Sequence, residues 1–125
     1  MKLFKSFLIP LTLMIQPVFA QQFNNDSNVE YHSLYDNPLV TAIQNEDYNY
    51  VEKIIKNNQY LIDKRINGKT LIIHAATMNK PEMIRLLYDL GADINLRCEE
   101  GYSPEEHANF KKSFNALAEI IVIKA

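Results

Sequence analysis

The chain has 125 residues, 13 basic against 15 acidic side chains, 47% hydrophobic residues and a single cysteine. That length suits one small domain, and the slight acidic excess leaves no basic stripe to neutralise phosphates, which argues against nucleic-acid binding. One cysteine cannot close an internal disulfide, so apolar packing alone has to hold the fold.

The chain opens MKLFKSFLIPLTLMIQPVFA, in which Lys2 and Lys5 precede an apolar run from Phe7 to Ile15 and small residues stand at Val18 and Ala20. This pattern predicts an export signal peptide over residues 1–20, cleaved before Gln21. The competing reading is a membrane anchor. The run is too short to cross about 30 Å of hydrocarbon, and Pro10 and Pro17 interrupt it. No cysteine lies near the cleavage site, so lipid attachment there is not expected. Removing the leader takes Lys2 and Lys5 away, which leaves 11 basic residues against 15 acidic ones and a net charge of about −4. The missing disulfide staple favours a bacterial periplasm over a eukaryotic extracellular setting. The expected mature protein is therefore periplasmic, with no nucleic-acid partner and no membrane contact after leader removal.

Residues 21–36, QQFNNDSNVEYHSLYD, have no clear period. Gln21 to Asn28 reads as a polar lead-in, and Tyr31, Leu34 and Tyr35 offer an apolar edge beyond it. The sequon Asn25-Asp26-Ser27 reads as chance within a polar stretch.

From residue 37 onward the chain repeats itself. Gly68 recurs as Gly101, Thr70 as Ser103, His74 as His107, and Ala75 as Ala42 and Ala108, always 33 residues apart. The apolar columns Val51, Ile84, Leu117 and Ile54, Leu87, Ile120 keep the same step, as does the column Ile55, Tyr88, Ile121. A period of 33 with helical spacing predicts stacked units, each unable to bury its apolar face alone. In the middle unit, Thr70 to Met78 reads as a short helix and Pro81 to Leu90 as a second, closed by Gly91. Ser103-Pro104-Glu105-Glu106 reads as a capping box. The alanine column is where neighbouring helices approach closely. By this register Leu117, Ile120 and Ile121 point inward at the end of the chain, while Val122 and Ile123 have no following unit over them.

The middle unit reads Gly68-Lys69-Thr70-Leu71-Ile72-Ile73-His74-Ala75-Ala76 and closes with Gly91-Ala92-Asp93-Ile94-Asn95. These motifs resemble the ankyrin repeat family, with its Gly-x-Thr-Pro-Leu-His-x-Ala opening and Gly-Ala-Asp-x-Asn close. The resemblance covers residues 37–125, with repeats about 37–65, 66–98 and 99–125. It implies an all-α fold: a short solenoid of about three helix-turn-helix units with projecting hairpin fingers, here Asp63 to Lys69 and Asn95 to Tyr102. Leu71 stands where the family has proline, and Ile73 where it has histidine, so His74 is not the signature histidine. Glu46 and Asn79 stand where the family has a glycine between the helices.

Several residues could carry chemistry. His74 and His107 occupy equivalent places on adjacent units, which suggests a shared metal. Zinc needs further ligands at about 2 Å, and Glu106 is the one obvious neighbour, so hydrogen-bonded helix residues are expected and no metal site is assigned. Ser103 reads as a helix cap, and no glycine-flanked nucleophile turn exists. Cys98, beside Arg97 on a finger, reads as an incidental exposed thiol, with an intermolecular disulfide as the minor alternative. Glu99-Glu100 and Glu105-Glu106 read as solvated charges, and no Gly-rich phosphate loop is present. The expectation is a protein without catalysis or cofactor.

What remains is a surface. The resemblance implies protein binding through the fingers and the concave face of the first helices. The register puts Gln44, Thr77 and Phe110 in one column and Asn45, Met78 and Lys111 in the next. On the fingers it puts Lys64 (with Arg65 beside it) level with Arg97, and Lys69 level with Tyr102. Phe110 and Tyr102 stand out because aromatics anchor interfaces disproportionately. The leading expectation is a non-enzymatic periplasmic module that binds one protein. A narrower form is an inhibitor or immunity protein for an exported toxin, a role found among small secreted ankyrin proteins of bacteria. The alternatives are a metal-binding or stress-response protein using His74 and His107, and a secreted host-directed effector. Val122 and Ile123 are expected to support self-association if they form an exposed patch.

Overall fold

The computed structural model describes residues 37–125; the leader over 1–20 and the lead-in over 21–36 lie outside the described residues. Three helix pairs follow one another: α1 Pro38–Gln44 with α2 Tyr48–Asn57, α3 Leu71–Thr77 with α4 Pro81–Asp89, and α5 Pro104–Phe110 with α6 Phe114–Lys124. A 3₁₀ turn at Gln59–Leu61 packs against α2. The described residues hold no strand, only an antiparallel bridge between Ile66 and Lys69.

Local sequence explains where the first five helices begin. Pro38, Pro81 and Pro104 each open a helix, where a missing N–H costs nothing. Asn37 Oδ1 accepts the Leu39 amide at 3.0 Å, Asp47 Oδ1 the Tyr50 amide at 3.2 Å, Thr70 Oγ1 the Ile73 amide at 3.3 Å, and Ser103 Oγ the Glu106 amide at 3.1 Å. Half of the expected capping box thus forms; the Glu106 carboxylate turns instead to Arg97 Nη1 at 3.3 Å. Gly91 takes a φ of +107° after α4, as its place past a helix end requires. Glu46, Asn79 and Lys112, one between the helices of each pair, hold φ values of +57°, +56° and +54°. The 33-residue period therefore extends to backbone geometry, even where no glycine supplies it.

The core is one cluster running through all three pairs. Ala42, Ala75 and Ala108 are all buried within it. Around them pack Val51 and Ile55 from α2, Met83, Ile84 and Leu87 from α4, and Ala116 and Ile120 from α6. A step larger than alanine in that column would push neighbouring helices apart.

Two expectations about packing are corrected. Cys98 is 6% exposed, not an exposed thiol: the second finger folds over it, and its Sγ accepts the Tyr102 amide at 3.4 Å. Ile121 is 56% exposed instead of pointing inward, as is its equivalent Tyr88 at 40%. Successive residues on a helix point about 100° apart. Once Ala116 and Ile120 face the core, Ile121 must swing outward and Ile123 swings in. Ile123 accordingly packs half-buried against the core, leaving Val122 as the exposed member of that expected pair.

Candidate interaction surface

The two fingers are tied to each other. Arg65 donates from Nε and Nη2 to the Arg97 carbonyl at 3.0 and 2.8 Å, and the Glu99 amide donates to the Gly68 carbonyl at 2.9 Å. At the finger bases the Asp93 amide donates to Asp63 Oδ1 at 2.9 Å, and Gln59 Nε2 donates to the Leu90 carbonyl at 2.8 Å. The fingers differ in their turns. The first closes by reciprocal bonds between Ile66 and Lys69, whereas in the second the Cys98 amide donates to the Tyr102 carbonyl, one residue further on. Arg97 Nη1 also donates to the Gly101 carbonyl at 2.9 Å, so that side chain braces its own finger. Arg65 and Arg97 thus brace the fingers while remaining exposed, as Lys64 is; Lys69 is half-buried.

The columns read from the period fall on equivalent helix positions. Gln44, Thr77 and Phe110 are the last residues of α1, α3 and α5, and Asn45, Met78 and Lys111 are their C-caps. Gln44, Asn45, Phe110 and Lys111 are exposed. Thr77 is half-buried, with its Oγ1 donating to the His74 carbonyl at 2.8 Å, and Met78 packs against the core. The outer members of the two columns are therefore available for contact, and the middle members serve packing.

The third unit carries the aromatic part of this surface. Tyr102 and Phe110 meet edge to face with ring centroids 5.2 Å apart, and His107 stands edge-on to both at 6.0 and 6.4 Å. Phe110 is 62% exposed and Tyr102 40%, so the pair presents apolar area in a fixed mutual geometry. His107 beneath them is buried, and its Nε2 has no hydrogen-bond partner among the described residues. Its pKa lies below the ordinary histidine value, chiefly through burial, with Lys69 adding to the effect and Glu100 and Glu106 opposing it.

His74 occupies the same place one unit earlier and behaves differently. Its Nε2 lies 2.8 Å from the Ile66 carbonyl and, in the tautomer protonated there, donates to it, pinning the first finger to α3. Burial lowers its pKa foremost, the Ile66 bond pulls the other way, and Lys69 and His107 add to the lowering. No group of three or more His, Cys, Asp or Glu side chains among the described residues is arranged to hold a metal.

Sequence reasoning named Arg65 only as a surface residue and missed how adjacent units lock together. Gln59, Asp63 and Arg65 each reach 30 to 32 residues ahead, and Asn79 Oδ1 accepts the Ala116 amide 37 residues on. None belongs to a motif. The signal that could have found them is a polar side chain one period before a backbone group that its own unit leaves unpaired.

Comparison with known proteins agrees with this architecture. A family model described as ankyrin repeats in three copies matches residues 12–116, beginning inside the segment expected to be an export leader. An ankyrin repeat protein of Rickettsia bellii (strain RML369-C) is 28% identical over 99 residues, covering 76% of this chain and 14% of its own length. Ankyrin repeat and MYND domain-containing protein 1 of Mus musculus is 31% identical over 67 residues, covering 53% of this chain and 7% of its own length. The chain spans only about a seventh, or less, of these curated relatives. With three helix pairs on a 33-residue period and a family match over most of its length, the chain belongs to the ankyrin repeat family, whose repeats form protein–protein interaction modules.

Proposed function

We propose that this protein is a non-enzymatic periplasmic module that binds a single protein partner through the finger and helix-end surface of its third unit, acting as an inhibitor or immunity protein for an exported toxin. The observation that carries the binding face is the Tyr102–Phe110 pair, exposed and held edge to face beside a braced finger. Aromatics in such settings dominate interface energetics. Exposed Lys111, next to Phe110 in the chain, supplies a polar neighbour. The periplasmic setting rests on the leader pattern of residues 1–20.

The test is a pull-down from periplasmic extract with the wild-type chain and with Phe110→Ala and Tyr102→Ala variants. A protein retained by the wild type and lost by both variants supports the reading. Retention unchanged by either variant moves the binding face elsewhere. The immunity role fails if a producer lacking the gene tolerates the captured protein normally, and recovery of the chain from the culture medium or a host cell instead of the periplasm would favour the effector reading. The metal-binding alternative has less support, since His74 already spends Nε2 on the Ile66 carbonyl. Zinc binding that vanished in a His74→Ala, His107→Ala double variant would revive it.

A further inference from the structure

Helix α6 carries two apolar stripes. One, with Ala116 and Ile120, is buried in the core. The other runs Phe114, Leu117, Ala118, Ile121, Val122, at i, i+3, i+4, i+7 and i+8, which is a single helical face. Phe114, Ile121 and Val122 are 65%, 56% and 61% exposed; Ala118 is exposed too, and Leu117 is half-buried. The stripe contains no ionisable residue.

One period earlier the same face on α4 reads Pro81, Ile84, Arg85, Tyr88, Asp89. There α6 packs on α4, Ile84 is fully buried and Arg85 binds Glu119 of α6. The interior junction is thus addressed by charge to the helix that covers it. On α6, Ala118 stands in place of Arg85, so that address is gone, and Val122 replaces the exposed Asp89.

We infer that the outer stripe of α6 pairs with the same stripe of a second copy, antiparallel, about a two-fold axis near Ala118. A two-fold contact must be self-complementary, and an uncharged apolar stripe meets its own image without repulsion. Ala118 lies four residues from both Phe114 and Val122, so the smallest side chain sits at the crossing and each Phe114 falls against Val122 of the second copy. Antiparallel pairing also sets the positive N-terminal end of each helix, with Lys111 and Lys112 before it, beside the C-terminal end of its mate. Two further charges at the rim are already committed within one chain, Glu119 to Arg85 and Lys124 to Glu105. The three most exposed side chains offer roughly 300 Å² per copy, against about 800 Å² per partner in a stable complex. The pairing is therefore weak and concentration-dependent.

Sedimentation velocity tests it, on the full chain and on the chain from Gln21 in parallel, from about ten micromolar to about one millimolar. The expected result is a mass rising from one chain towards two in both forms. Ala118→Lys or Val122→Asp, each at an exposed position, should hold the chain monomeric with an unchanged circular dichroism spectrum. Ala118→Cys should give a disulfide-linked dimer on oxidation, since the axis brings the two residues together. A monomer at every concentration overturns the inference and leaves the stripe to a different partner. Growth past the dimer overturns it in favour of open head-to-tail stacking. A dimer that survives both charged variants places the contact elsewhere.

Discussion

The side chain of Asn79 caps a helix that belongs to the next unit: its Oδ1 accepts the Ala116 amide at 3.0 Å, in the first turn of α6. The helix's own N-cap, Ser113, is occupied elsewhere, donating from Oγ to the Thr77 carbonyl at 3.3 Å. Asn79 also holds the left-handed conformation, at φ +56°, which asparagine tolerates better than most residues. Asn79→Ala removes the cap and the tolerant residue together and should cost about 2 kcal/mol. Asn79→Gly removes only the cap and should cost about half as much. Urea denaturation of both variants checks the ordering, and equal midpoints for Asn79→Ala and wild type would deny the cap any role.

Lys112 occupies the equivalent left-handed position in the third unit, at φ +54°, and its side chain is exposed. A lysine there bears a steric cost of about 1–2 kcal/mol, part of which glycine would return as unfolded-state entropy. Lys112→Gly should therefore raise stability by about 0.5–1 kcal/mol. A lower melting temperature in that variant would show that the lysine side chain makes a compensating contact.

Acid should destabilise the fold through its buried histidines. Burial holds the pKa of His74 below the ordinary value, and His107 is lowered in the same way. Between those lowered native values and about 6.5 the unfolded chain binds more protons than the native one, so stability rises with pH. The contribution is complete above about pH 6.5 and is lost as pH falls through the native values. Urea midpoints should drop from pH 7.5 to pH 5.5 in the wild type and drop less in a His74→Gln, His107→Gln variant. Equal slopes in the two proteins would assign the acid sensitivity to other groups.

Ala75 is fully buried in the alanine column shared with Ala42 and Ala108. Ala75→Leu should overpack the junctions on both sides and cost about 1–3 kcal/mol, a large share of what a domain this small has. Thermal unfolding followed by circular dichroism reads the loss. An unchanged melting temperature would mean the column has slack.

The repeating part of this architecture was legible in the sequence because it depends on residue type at fixed spacing. Thr70, Ser103, Pro81 and Gly91 announce helix ends by their local chemistry, and the structure puts each at the expected end. Two things were not legible. The direction of Ile121 depends on which of two adjacent apolar residues, Ile120 or Ile121, the helix turns inward, and an all-apolar run does not encode that choice. The burial of Cys98 goes with a turn whose closing bond spans one residue more than its neighbour's, a register set by backbone bonds. Of the candidate surface, the period found the helix-end positions, but not that Arg65 and Arg97 are spent bracing the fingers.

That bracing has a mechanical consequence. With Arg65 gripping the Arg97 carbonyl and the Gly68 carbonyl holding the Glu99 amide, neither hairpin can tilt without dragging the other. A visitor that grips Tyr102 therefore pulls on two units at once and meets a stiff edge instead of a yielding loop. On the proposed binding face, stiffness of this kind would make recognition selective by shape. A mismatched protein cannot be accommodated by bending one hairpin, whereas a matching one docks with little configurational freedom left to lose.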